Sequence, residues 1–188
     1  QEIIVDNNDR KSISYIEVDN SKKWKDCDSL GFANAKTLYS DGENPFTMGT
    51  VRQAKATKKK KKYSLVSYQP KFKEAGKYAV YVSYQTLPKS VPDAKYIVYH
   101  KGQATEFTVN QRMGGGTWVY LGTFDFDKGC NEFNRVVCTN QASKRGVVTT
   151  DAVRFGGGMG NIERGGNVSG LPRCLEGARY YAQWAGAP

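Results

Sequence analysis

At 188 residues, with 39% hydrophobic and 12% aromatic content, the chain is long enough for about one domain with a real core and too apolar for a disordered polymer. Its net charge of +10, from 28 basic and 18 acidic residues, favours an anionic partner: nucleic acid, acidic polysaccharide or anionic lipid. No apolar run approaches the roughly 20 residues of a membrane span, and the four cysteines lack a CxxC pair and are joined by a single histidine, which argues against a structural zinc site. No signal peptide is visible and Gln1 opens the sequence, so the chain is expected to be a mature product or a portion of a longer one.

In chain order, EIIVD (Glu2 to Asp6) predicts a short strand stopped by the turn-rich NNDR, and SYIEVDN (Ser14 to Asn20) a second. Ser21 to Met48 is polar and carries the breakers Asp41-Gly42 and Asn44-Pro45, so long loops at one end of a sheet are expected there. VRQAKA (Val51 to Ala56) and YSLVSYQP (Tyr63 to Pro70) read as strands. The lysine run between them, Lys58 to Lys62, reads as a solvated strand entry or loop.

KYAVYVSYQ alternates cleanly, with Tyr78, Val80, Val82 and Tyr84 on one face and Ala79, Tyr81 and Ser83 on the other. AKYIVYH and ATEFTVNQ predict a hairpin around Lys101-Gly102. TWVYLGTFDF, NEFNRVVCTN and GVVTTDAVRF (Gly146 to Phe155) complete about nine short strands. That spacing predicts an all-β fold, an antiparallel β-sandwich of jelly-roll type, over residues 1–155. Residues 156–188 read as a Gly-rich linker and one short helix beginning at Pro172, on Leu175, Ala178, Ala182 and Ala185. The helix either docks on the sandwich or begins a neighbouring domain.

Several constellations invite chemistry. His100 ends a strand beside a turn, which suits hairpin capping better than a Ser-His-Asp triad. Asp125 and Asp127 share a face, but aspartates at a strand end usually mark a turn. Asp6 and Asp9, with Asn7 and Asn8 between them, offer hard oxygen ligands for Ca²⁺, although turn chemistry calls for the same residues. GGGMGN (Gly156 to Asn161) follows a strand as phosphate loops do but lacks the Gly-Lys-Ser/Thr continuation. Cys130 and Cys138 flank NEFNRVV and are near enough to bridge if the segment folds back; spacing alone does not fix the Cβ geometry. Trp24, Tyr39 and Phe46 lie in the loop-rich region and are candidates for an aromatic platform stacking on sugar rings; Trp118, at a strand start, reads as core.

Two stretches carry a resemblance: FKEAGKYAVYVSYQ with YIVYHKGQATEFTVNQRMGGGTWVYLGTFDFDKG, and VVTTDAVRF. They resemble the golvesin C-terminal-like domain, also called the golvesin/Xly carbohydrate-binding-like domain, and EIIVDNND is similar to that family's opening strand. The glycine-rich segment with PRCLEGARYYAQWAGAP resembles the continuation found in xanthan-lyase-related secreted proteins of Bacteroides-type bacteria. The resemblance implies a noncatalytic, secreted, periplasmic or cell-surface accessory domain that accompanies polysaccharide- or cell-wall-degrading enzymes. The basic surface then points to acidic polysaccharide, with neighbouring domains of a longer chain as the other partners. No nucleic-acid module is recognised, and a lysine run carries no base-reading geometry. Two alternatives stand beside this: a structural domain that orients a catalytic neighbour without binding a ligand, and an independent lyase or hydrolase.

Overall fold

A computed structural model describes residues 2–9, 12–20, 22–33 and 44–157, together with the backbone of 161–163, 168–169 and 181–183. The strands in chain order are β1 (Glu2–Asp6), β2 (Tyr15–Val18), β3 (Lys25–Gly31), β4 (Gly49–Lys55), β5 (Leu65–Tyr68), β6 (Gly76–Ser83), β7 (Ala94–His100) and β8 (Gln103–Val109). They continue with β9 (Val119–Phe126), β10 (Arg135–Thr139), β11 (Val147–Thr150), β12 (Ala152–Gly156), β13 (Asn161–Glu163), β14 (Val168–Ser169) and β15 (Tyr181–Gln183). Three sheets build the domain, in the orders β1-β12-β6-β9, β14-β8-β7-β10-β5-β2 and β11-β4-β3; β13 and β15 form a separate pair. The named strands pair antiparallel throughout. This is the expected all-β sandwich, with almost no helix.

Alternation on β6 decides how the layers pack. Tyr78, Val80, Val82 and the following Tyr84 enter the main core with Phe126, Phe155, Tyr96, Val98 and Phe107. On the opposite face, Tyr81 is also buried, beneath a second cluster of Phe32, Phe46 and Trp118. Ring centroids in that trio lie 5.0 to 5.5 Å apart in tilted and edge-on arrangements, the geometry that aromatic quadrupoles favour. Both faces of the first sheet are therefore covered, one by the second sheet and one by aromatic residues that anchor loops.

The β7–β8 hairpin runs in register from Ala94↔Val109 to His100↔Gln103. Lys101 and Gly102 take φ of 50° and 80°, the two positive values that let a two-residue turn match strand twist.

Three expectations are revised. The stretch expected to be loop from Ser21 to Met48 contains β3, a strand with mostly exposed side chains and a register shift between Asp26 and Leu30. GVVTTDAVRF is two strands rather than one, because the chain passes from the β11-β4-β3 sheet to the β1-β12-β6-β9 sheet at Asp151. In the segment expected to be a helix, the described residues Tyr181–Gln183 are extended and pair with Asn161–Glu163, in what was read as linker. The rest of that segment lies outside the described residues.

Candidate functional site

The aromatic platform does not form from the residues first suggested. Trp24 is 4% exposed and belongs to the main core, and Phe46 is 1% exposed within the Trp118 cluster. Neither ring offers a face to a sugar, because each spends it anchoring a polar loop to the sandwich. Tyr39 lies outside the described residues. Trp118 is core, as expected, at 1% exposure.

Asp6 and Asp9 do not converge on a cation position either. Asp9 accepts a turn hydrogen bond from the Asp6 backbone N–H at 3.4 Å. Asp6 instead faces Asp151, a fully buried carboxyl at the β11–β12 crossing. Between them sits the Asn7 amide, whose Nδ2 donates to Asp6 Oδ1, Asp151 Oδ1 and the Asp151 carbonyl, each at 3.0 Å. A protein N–H donor thus occupies the position that a shared cation would need. Asp151 Oδ2 also accepts from the Phe32 backbone N–H at 2.7 Å, and Asn8 Nδ2 donates to Asp6 Oδ2 at 3.1 Å. Burial, and secondarily the Asp9 carboxylate, raises the Asp6 carboxyl to about 7; burial and then Asp6 push Asp151 well upward. The cluster ties β1, β4 and β12 to the start of the loop after β3. Among the described residues, no group of three or more His, Cys, Asp or Glu side chains is placed to hold a metal ion.

The other candidates are framework as well. His100 Nε2 lies 2.9 Å from Thr105 Oγ1, and its ring packs 4.8 Å from that of Phe124. Burial lowers its pKa, with Asp125 opposing. Asp127 is tied to Asn134, which accepts its backbone N–H at 3.0 Å, so it forms a turn rather than half of an acid–base pair with Asp125. Cys130 and Cys138 are both free thiols. Cys138 is wholly buried on β10 opposite Tyr96, whereas Cys130 sits in the preceding loop, 3.7 Å from the Gln69 carbonyl it donates to.

The structure assembles a site that no contiguous motif announces. The outer face of the β11-β4-β3 sheet is the floor of an open groove of about 1030 Å³. Register places Lys25 of β3 beside Gln53 of β4, and Lys55 beside Val147 of β11. Gln53 and Lys55, two residues apart, share this face, while Ala54 and Val148 turn inward to the core. Pro88, Lys89 and Ser90 make one wall, and Lys22, Arg112 and Arg145 complete the rim. Lys22 is placed by its carbonyl, which accepts from the buried Ser64 hydroxyl. Lys89 is placed by its own carbonyl, which accepts from the Val147 N–H at 2.9 Å. Gly146 permits that contact: at φ 151° a Cβ there would stand 2.3 Å from the Lys89 carbonyl oxygen.

Six cations therefore line one groove, and no Asp, Glu, His, Cys or Tyr lines it. Three basic side chains outside the groove are ion-paired: Arg52 with Glu17 and Asp26, Lys95 with Glu106, and Arg154 with Glu2. Among the described residues none of the six groove cations makes such an ion pair. Like charges gathered without counter-charge repel one another and focus a positive potential into the concavity, the field an anionic ligand would relieve.

Comparison with known proteins adds a lineage to this geometry. Residues 3–157 match the Golvesin C-terminal domain family. The chain belongs to that family. Over 92 residues, 48% of this chain, it is 34% identical to a protein of Bacillus sp. (strain GL1) named xanthan lyase, and that stretch is 10% of the relative's length. The fold is similar to that of a Paenibacillus xanthan lyase of known structure, with a TM-score of 0.60 and 21% identity over 84% of this chain and 13% of that one. The golvesin-family domain thus spans about a tenth of the length of these relatives. No helix among its described residues is long and apolar enough to cross a membrane.

Proposed function

We propose that this domain is a noncatalytic module that holds acidic polysaccharide for a secreted or cell-surface polysaccharide-degrading protein. The observation that carries the proposal is the groove over the β11-β4-β3 sheet, with six cations that no carboxylate of the described residues neutralises. Similarity to two proteins named xanthan lyase supports the polysaccharide context and extracellular placement, and the small share of their length that it covers supports an accessory role.

The noncatalytic part rests on what lines the groove. Glycoside hydrolysis needs a pair of positioned carboxylates. The groove lining contains no Asp, Glu, His or Tyr, and His100 is bound to Thr105 on the β14-β8-β7-β10-β5-β2 sheet.

A second reading, a spacer that orients a neighbouring domain, is favoured by a different feature. Edge strand β2 and the residues before it expose Ile13 (72%), Ile16 (45%) and Val18 (48%) beside one another in sequence, a surface suited to a neighbouring domain of a longer chain. The two readings are compatible.

Affinity electrophoresis of the full chain tests the binding claim. Migration should be retarded in gels containing a uronate polymer, unaffected by its carboxyl-reduced neutral counterpart, and restored by high salt. Equal migration in all three conditions would sink the proposal.

A further inference from the structure

The six groove cations are not equivalent. Five of them, Lys22, Lys25, Lys55, Lys89 and Arg145, end in solvent with no side-chain hydrogen bond to any described residue. Arg112 differs: its Nε donates to the Ser90 carbonyl at 3.0 Å. That carbonyl belongs to a rigid corner. Ser90 is 1% exposed, its N–H donates to the Leu87 carbonyl at 3.1 Å, and its hydroxyl accepts from the Leu87 N–H at 2.9 Å.

The backbone that carries Arg112 is held as firmly. Its own N–H donates to Asn110 Oδ1 at 3.0 Å. The preceding Gln111 is fully buried and locks both ways onto Thr149, its Nε2 donating to the Thr149 carbonyl at 2.8 Å and its Oε1 accepting the Thr149 N–H at 2.9 Å. Thr149 is on β11, one of the strands of the groove floor. The backbone at Arg112 is thus anchored to the floor through Gln111, and a single hydrogen bond from Nε to the Ser90 carbonyl holds the exposed guanidinium against the wall, which lowers the rotamer entropy to be lost on binding.

The way it is fixed selects a ligand geometry. A guanidinium offers two edges to a planar anion, Nε with one Nη, or the two Nη groups end-on. In Arg112 the first edge is consumed by Ser90. The end-on edge has no acceptor among the described residues. Two parallel N–H groups at that edge match the two oxygens of a carboxylate.

We infer that Arg112 is the specificity-determining residue of the groove, gripping one sugar carboxylate of an acidic polysaccharide end-on through its two terminal nitrogens while the five other cations supply unspecific attraction. This rests on the polysaccharide-binding reading of the groove. The class of ligand is a glycan bearing carboxylates, and the discriminating feature is the planar carboxylate rather than total charge.

Charge-conserving substitution separates the two roles. Lys in place of Arg keeps the charge but loses the rigid fork. In calorimetric titrations of the full chain with a uronate oligomer, Arg112→Lys should lose about tenfold in affinity. Lys89→Gln, which removes a whole charge from the wall, should lose only about threefold. Circular dichroism and thermal melting of each variant establish that it is folded. As a check needing no variant, the Arg112 Nη–H resonances of the wild-type protein should shift when the oligomer is added and stay put with its carboxyl-reduced counterpart. An Arg112→Lys protein that binds like wild type, or Nη–H resonances indifferent to the oligomer, overturns the assignment while leaving the groove a polysaccharide site. Failure of the wild-type protein to bind the polymer at all refutes both.

Discussion

The Asp6–Asp151 pair makes stability depend on pH in an unusual direction. A carboxyl raised from 3.8 to about 7 binds its proton more tightly in the folded than in the unfolded chain. Between those two values the folded state therefore holds more protons, and stability falls as pH rises through the window. A shift of about three units corresponds to roughly 4 kcal/mol over the whole window. With a urea m-value of about 2 kcal/mol/M, that is a displacement of about 2 M in midpoint between pH 4 and pH 7.5. His100 acts oppositely: its lowered pKa removes stability as pH falls through the histidine range. Comparing Asp6→Asn with wild type at each pH cancels that contribution. The amide retains an acceptor for Asn7 or Asn8 but cannot ionise, and it also relieves Asp151 of its charged neighbour. Asp6→Asn should cost about 1 kcal/mol at pH 4, from one weakened hydrogen bond, and be neutral or stabilising at pH 7.5. Parallel wild-type and variant stability curves across the window would refute the reasoning.

Two further outcomes follow from the packing. Gly146→Ala would drive a Cβ into the Lys89 carbonyl and hold a side chain at a positive φ, so it should destabilise the fold by about 1–3 kcal/mol and weaken polysaccharide retention together; thermal melts and affinity gels read both. Burial pushes the Cys138 thiol up to about 12, so a thiol reagent at neutral pH should label Cys27 and Cys130 in the folded protein and reach Cys138 only on unfolding; mass spectrometry of digested samples reports the sites, and rapid labelling of Cys138 would contradict its placement.

The sandwich was legible where side chains alternate against one packed core. Strands β6, β7 and β8 declared themselves because β-branched and aromatic residues recur with period two. β3 was hidden because KDCDSLG faces solvent along most of its length and so carries no apolar period. Trp24 and Phe46 misled because an aromatic residue in a polar stretch reads equally as an exposed platform or as an anchor pinning that stretch to the core. Ala182 suits a helical face by spacing, but a three-residue strand satisfies the same letters. The groove left no contiguous signal: its cations sit at positions 22, 25, 55, 89, 112 and 145, and only strand register brings them together. The conspicuous lysine run, read as a solvated strand entry or loop, lies apart from the groove: Lys60–Lys62 form a short 3₁₀ turn and Lys58 lines a different, smaller cavity. The one available hint was the polar pair Gln53 and Lys55 on either side of the apolar Ala54, which marks an outward polar face at this end of β4.

The groove's role is tested most directly by calorimetric titration of the full chain with a uronate polymer, comparing wild type with the floor variant Lys25→Glu/Lys55→Glu. Wild type should bind at low salt and weaken steeply towards about 0.5 M salt, while the variant, with two charges reversed on an exposed sheet face and the core untouched, should melt like wild type and show no binding heat. A folded variant that binds the polymer with wild-type affinity would place the site elsewhere and contradict the account.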